Sequence, residues 1–584
     1  MASRSRFGGR RSGSGAGGDG ESKIRGLFIV IAILFAAVAL RLVWIQVVDH
    51  EWLSERAETR RTNTVTISAK RGTIYDRNGN VLAISVDCKD VVCDPTTVSY
   101  TDKRGTEGAA DAVADILVEV LGGDKDTYKE ALTRANSRYA YLARRIDVDV
   151  ADKIQDKLDE NNLTGIYYES DTKRVYPYGT TGAQVLGYVN SEGVALSGLE
   201  YYYDSILKGT DGQRVYESSV SGGPIAGGIS ETTEAKNGTD IVISIDIDLQ
   251  YECEQIITEA AKTYSADSGS VMVTDPKTGE IYATCSTPLP DFDNITDASS
   301  LNLKLVTDSY EPGSVFKVIT TSIGVEDGLL SKDTTINIPA EILVGDDYVT
   351  DDDGRDYAMD MSVEYALAQS SNVAMAYYAQ NIIGAQKFSE GVEKFGIGQK
   401  TGIDFPGEAA GIVRTLSSYT GASLGSMAFG QSLAIPLVQI VRAYGAVAND
   451  GIPNAPHFLL SKNGDAVEWE SGERIISKAT ADEETEMMRS VMTEGSGVKG
   501  QVDGYDIAGK TGTGEQADES GGYKEGSYVA SLCGFANADD PDVLAYVGLN
   551  GIPYLAAVSA ANVFHDVMEQ SVTILGIAPA SYSE

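Results

Sequence analysis

Ser314-Val315-Phe316-Lys317, Ser370-Ser371-Asn372 and Lys510-Thr511-Gly512 follow one another along the chain. A serine three residues before a lysine places a nucleophile and an amine on one helix face. The second motif adds a hydroxyl and an amide, and the third a cation beside glycine, where a substrate backbone can approach closely. Together they describe an active-site serine enzyme that works without histidine. His50, His457 and His565 are too scattered for a Ser-His-Asp triad or a metal site.

Each motif is weak alone, since a chain of this length carries about two S-x-x-K matches by chance. Ser205–Lys208 and Ser496–Lys499 also fit the first pattern, and Lys277-Thr278-Gly279 and Lys400-Thr401-Gly402 fit the third. Context chooses between them. Pro312-Gly313 precedes Ser314, and Val315, Phe316, Val318, Ile319 and Ile323 follow at helical spacing, so a buried helix carries the serine in its first turn. The dipole end of that helix lies where an oxyanion would form. Tyr505–Ala508 alternates into Lys510-Thr511-Gly512-Thr513-Gly514 as a strand. By contrast, Ser205 lies at a surface helix end, Ser496 in a glycine-rich loop, Lys277 in a hairpin turn and Lys400 in a loop.

With Arg71-Gly72-Thr73-Ile74-Tyr75-Asp76-Arg77-Asn78-Gly79, Arg174-Val175-Tyr176-Pro177, Gly198-Leu199-Glu200 and Phe429-Gly430-Gln431, these motifs make the chain resemble a class B penicillin-binding protein of the septal or sporulation type, from about residue 27 to about residue 575. The resemblance implies an α+β fold: a membrane anchor, a mixed pedestal and a β-lactamase-like transpeptidase domain. It also implies that Ser314 attacks a D-Ala-D-Ala stem peptide to form an acyl-enzyme, while Ser370 relays a proton and Asn372 orients Lys317 and the substrate amide. Lys510, Thr511, Gly512 and Thr513 would bind the terminal carboxylate, and the backbone N–H groups of Ser314 and Thr513 would form the oxyanion hole. Peptidoglycan stem peptides and β-lactams are the implied ligands, and no cofactor or metal is called for. Partners implied by resemblance alone are a membrane glycosyltransferase of the shape, elongation, division and sporulation family and other division or sporulation proteins.

The residues themselves demand a neutral amine, because no histidine is in context to act as base. Burial and a second cation would both depress Lys317, and Lys510 is the candidate cation. A β-lactamase or carboxypeptidase would pass the acyl group to water, but the anchor and the large N-terminal region favour synthesis. No E-D-x-x-F-x-x-H pattern of a glycosyltransferase domain occurs in residues 49–235. A non-catalytic division scaffold or β-lactam sensor could dispense with a motif residue; here all are kept.

With 584 residues, two or three domains are expected, and a net charge of −38 excludes nucleic acid or an anionic lipid surface as partner for the bulk of the chain. Basic residues Arg4 to Arg25 precede an apolar run from Leu27 to Val48, interrupted by Arg41. That run spans a bilayer if Arg41 snorkels, with the N-terminus cytoplasmic and the remainder extracytoplasmic. Ala37-Val38-Ala39 imitates a signal-peptide cleavage site, but the apolar character continues past it to Trp44. The expected partition is a disordered tail at 1–26, the membrane helix at 27–48, the pedestal at 49–235 and the transpeptidase domain at 236–584, opened by the strand at Ile241. In the pedestal, Arg71, Asp76, Arg77 and Glu200 are expected to form a structural salt-bridge network. The five cysteines lack metal-ligand spacing and support no disulfide framework. The acidic stretch Asp346 to Asp360 fails the calcium-loop register and is expected to be solvated.

Overall fold

The computed structural model describes residues 18–53, 62–102, 104–217, 230–291, 298–517 and 522–580. The expected tail therefore lies mostly outside the described residues. The chain divides into two compact units, Met1–Ile67 with Asp211–Ala235, and Ser68–Thr210 with Lys236–Glu584.

In the first unit, a helix Gly18–Val43 continues through a π-helical turn, Trp44–Val48. Residues Lys23–Val48 contain an 18-residue stretch of mean hydropathy 2.7, none of it buried, a length and composition able to cross a membrane. Arg41 reaches back to Asp49 at 3.8 Å. A three-stranded antiparallel sheet of Thr62–Ile67, Gly212–Glu217 and Ser230–Thr233 completes this unit.

The second unit contains a seven-stranded sheet and a five-stranded one. In the first, Val81–Cys93 pairs with both Ala140–Asp147 and Ile166–Val175, and helices Ala109–Leu121 and Val148–Glu160 bury Val113, Leu117, Ile154 and Leu158 against it. Ile241–Ile243, the expected opening of a second domain, lies inside this same sheet: it runs parallel to Ile74–Tyr75 and antiparallel to Leu459–Lys462. Ile241, Ile243 and Ile245 are buried and join the large core beneath the catalytic motifs.

The five-stranded antiparallel sheet has the order Ile281–Ser286, Ser268–Thr274, Val543–Ile552, Tyr523–Ala536, Ile507–Ala517. Alternation along the strands divides its side chains between two cores. Val271, Val273, Leu532, Ala545 and Val547 pack toward the helices Ile247–Thr263 and Ala560–Ile574, whereas Met272, Cys533, Phe535, Leu544 and Tyr546 pack toward Lys317–Glu326, Val438–Ala448 and Lys478–Thr493. This is the expected antiparallel sheet between helices. All five cysteines are buried free thiols, with Cys253, Cys285 and Cys533 in these two cores and Cys93 in the core beside Val81–Cys93. The strand carrying Lys510-Thr511-Gly512 is an edge strand, so one side of its backbone is open to a ligand.

The expected pedestal network is partly redrawn. Arg71 and Arg174 both bind Glu200, but Asp76 instead caps the Asn78-Gly79 turn, accepting from the backbone of Asn78 and Asn80 and from the Asn80 side chain. Arg77 lies over the Tyr282 ring at 4.2 Å, with Glu280 3.8 Å away. A carboxylate followed two and four residues later by free N–H groups makes a turn more readily than a distant ion pair.

Candidate active site

Ser314 lies in a 3-10 turn, Gly313–Phe316, and Lys317 begins the α-helix Lys317–Glu326. The expected α-helical first turn is thus wound tighter, and the Lys317 N–H bonds to the Ser314 carbonyl. Residues i and i+3 eclipse in such a turn, which stacks the lysine over the serine more closely than an α-helix would. The cause lies on both sides. Gly313 has φ +62, and a Cβ there would stand 2.8–2.9 Å from the backbone of Thr513 and Gly514; a Cβ on Gly430 would stand 2.0 Å from the Gly313 carbonyl oxygen. Tyr444 donates to the Val315 carbonyl at 2.8 Å and pins the other end. Ser314 is 9 % exposed, and among the described residues no hydrogen bond holds its hydroxyl.

Lys317 is fully buried and donates to the Ser370 carbonyl (2.5 Å), Ser370 Oγ (3.1 Å) and Asn372 Oδ1 (2.7 Å). Lys510 reaches the same Ser370 Oγ at 2.8 Å. Ser370 can meet both because its backbone is left-handed, φ +57, a strained conformation for a serine that turns its carbonyl inward. One hydroxyl therefore bridges two lysines. Burial pushes Lys317 down to about 7, against the opposing pull of Asp351 and Asp352. Lys510 lies well below the ordinary lysine range, by burial first and then by the charge of Lys317. Burial, as expected, is the chief cause at Lys317, and the second amine is Lys510, which the charge of Lys317 lowers in turn. Two ammonium groups sharing one part-buried hydroxyl disfavour each other's charge.

On the edge strand, Gly512 lies against the serine turn, where a Cβ would stand 2.9 Å from Val315 Cγ1. Thr511 is buried and its hydroxyl meets that of Ser496, so a serine whose own motif lacks the right setting still borders the site. Thr513 Oγ1 accepts from Ala556 N at 3.3 Å. Lys317, Ser370, Asn372 and Lys510 thus form one cluster, with Ser314 adjoining it through its turn rather than through a hydrogen bond of its own.

The acidic stretch is not wholly solvated. Asp351 accepts from Ser371 Oγ (2.7 Å) and Val373 N (3.0 Å) and pairs with Arg355 Nη2 at 3.1 Å. Sequence reasoning missed both residues, because the surrounding aspartates hide one whose partners lie 20 and 22 positions on.

Residues 269–569 match the penicillin binding protein transpeptidase domain and residues 66–243 the penicillin-binding protein dimerisation domain. The chain is 31 % identical to penicillin-binding protein PbpB of Mycolicibacterium smegmatis over 93 % of its own length and 88 % of that protein. It is 28 % identical to peptidoglycan D,D-transpeptidase FtsI of Escherichia coli, over 94 % and 91 % of the two chains. Penicillin Binding Protein 2X of Streptococcus thermophilus, a solved structure, superposes with a TM-score of 0.73 at 27 % identity, covering 88 % of this chain and 80 % of that one. A serine turn, a bent serine-asparagine segment and a lysine-bearing edge strand, matched over nearly the whole length, place this chain in the family: it belongs to the class B penicillin-binding proteins.

Proposed function

We propose that the protein is a peptidoglycan D,D-transpeptidase, cross-linking stem peptides in cell-wall synthesis through an acyl-enzyme on Ser314, and that penicillin acylates the same oxygen. The observation that carries this reading is the pair of buried lysines joined through Ser370 Oγ beside an untethered serine hydroxyl. The base needs a pKa near neutrality, and burial lowers Lys317 to about 7.

In the forward step Ser314 Oγ attacks the penultimate D-Ala carbonyl while its proton passes to neutral Lys317. The oxyanion forms between the backbone N–H groups of Ser314 and Thr513. Collapse of the tetrahedral intermediate breaks the peptide C–N bond, and Ser370, in contact with both lysines, relays a proton to the departing D-Ala nitrogen. Asn372 holds Lys317 and the substrate amide, while Lys510, Thr511, Gly512 and Thr513 receive the terminal carboxylate. An amine of a second stem peptide then attacks the ester, its proton returns to Ser314, and the cross-link is released.

The site sits in a chain divided as tail 1–26, anchor 27–48, pedestal 49–235 and catalytic domain 236–584, with the N-terminus cytoplasmic and the catalytic domain outside. Glycan polymerisation falls to a membrane glycosyltransferase of the shape, elongation, division and sporulation family, and the pedestal is the region offered to it and to other division or sporulation proteins. Labelled penicillin followed by mass spectrometry is the test. An adduct on Ser314 is expected; one on Ser205 or Ser496, or none, overturns the assignment. Cells carrying only Ser314→Ala should make and localise the protein yet fail to complete the wall structure it serves, whereas normal growth, division and spore formation would favour a scaffold.

A further inference from the structure

The middle residue of the Ser370-Ser371-Asn372 motif touches neither lysine, yet its two neighbours hold Lys317 between them. Something has to fix that middle residue. Ser371 Oγ accepts from Ala374 N at 2.9 Å, which caps the helix Asn372–Tyr377, and donates to Asp351 Oδ2 at 2.7 Å. Asp351 Oδ1 accepts the next free donor of that helix, Val373 N, at 3.0 Å. A carboxylate at a helix N-terminus satisfies donors the helix cannot satisfy itself.

Asp351 is held in turn. Its side chain is 8 % exposed and that of Arg355 is 3 % exposed. Arg355 joins Asp351 Oδ2 through Nη2 and spends Nη1 on the carbonyls of Ile338 (3.2 Å) and Tyr357 (2.9 Å). The guanidinium is thereby locked to the backbone of two segments, Thr335–Ile338 and the approach to Met359–Ser362, which pair with each other.

We propose that Asp351, locked by Arg355, is the positioning residue of this site: by gripping Ser371 and Val373 it holds the left-handed bend at Ser370 and so brings Ser370 and Asn372 onto Lys317. This rests on the transpeptidase reading and adds to it a residue outside the three motifs. Its negative charge has a second effect. The charged groups facing Lys317 are Asp351 and Asp352 from the loop and Lys510 from the edge strand, with Glu484 of the helix Lys478–Thr493 bonded to Thr321 one turn on. Asp351 stabilises the protonated amine, so it opposes the drop that burial imposes.

The test is the rate of acylation of the full-length protein by a fluorescent penicillin between pH 5 and 9, for wild type and Asp351→Asn. Displacing the bend by even an ångström should slow the variant by roughly 10²-fold at high pH. The lost charge should also move the acidic limb of its profile to lower pH. A slower variant whose limb stays or moves upward reduces Asp351 to a generic structural role, and a wild-type rate removes it altogether. Arg355→Lys keeps the cation but not the fork, and should lose less rate with its limb in place; a limb shift equal to that of Asp351→Asn overturns the lock. If wild type itself is not acylated, the transpeptidase reading falls. A structure of full-length Asp351→Asn then decides the positioning alone: Ser370 Oγ and Asn372 Oδ1 withdrawn from Lys317 is expected, and both still within hydrogen-bond distance overturns it.

Discussion

At Glu200 two guanidinium groups converge on one carboxylate; at Ser370 two amines converge on one hydroxyl. Arg71 and Arg174 meet the two oxygens of Glu200 at 2.5 and 2.7 Å, with Glu200 wholly buried and Asp204 balancing Arg71 from the rim. There each buried charge has a partner of opposite sign, and the cluster ties Arg71, just before the strand Ile74–Tyr75, to the short helix Gly198–Tyr202. Around Ser370 the nearest neighbours of each amine are neutral oxygens and the other amine. Both clusters are polar and centred on buried charged side chains. The first is compensated and acts as a structural tie; in the second no carboxylate among the described residues touches Lys317, Asp351 and Asp352 offset its desolvation only in part, and the remainder keeps the amine basic near neutrality.

The largest effect that would break this contrast is expected at Lys317. Lys317→Met should slow penicillin acylation by about 10³-fold or more, while the melting temperature holds or rises at pH 7. The sign follows from linkage: Lys317 is lowered from 10.5 to about 7 in the fold, so between those values the unfolded chain binds more protons. The lysine therefore costs stability fully below pH 7, and the cost fades as pH rises toward 10.5. A rate within tenfold of wild type would make Lys317 structural.

Glu200→Gln should do the reverse. It leaves two buried guanidinium groups without a counter-charge, a loss of about 3–5 kcal/mol, read by denaturant unfolding, while the protein that remains folded acylates at the wild-type rate. Equal loss of stability and of acylation rate per folded molecule would show that the two clusters are one system.

Wild-type acylation should itself fall about 50-fold between pH 7 and pH 5, since a base with a pKa of about 7 goes from about half to about 1 % deprotonated. A profile flat across that range would remove Lys317 as the titrating base. The smallest effect sharpens the contrast from the other side. Asp204 is 40 % exposed, so Asp204→Asn should cost no more than about 1 kcal/mol; a loss as large as that of Glu200→Gln would mean that the rim carboxylate is part of the buried tie.

Much of this was legible in the residues. The strands of the five-stranded sheet and the helices around it appear as apolar alternation and 3–4 spacing, and local turn and helix signals alone point to Ser314 and Lys510 rather than to the other matches. What stayed hidden were relationships between distant segments. The pairing of Ile241–Ile243 is one, because nothing local announces a parallel partner at Ile74–Tyr75, far back in the chain. Asp351 looks like one solvated acid among many, because its hydrogen bonds depend on how a hairpin returns to Ser371. The tight turn at Ser314 looks like ordinary helix, because the backbone pressing on it comes from Gly430 and Gly514.

That last contact bears on how such a protein could escape a drug. Gly430, Gly313 and Gly514 stack main chain on main chain, with left-handed backbone at Gly313 and Gly430 and no room for a methyl group at any of the three. The loop that presents the nucleophile is consequently written in an alphabet of one letter. Selection under β-lactams cannot reshape it one side chain at a time, and resistant alleles are confined to neighbouring positions where side chains, rather than backbone, border the cleft.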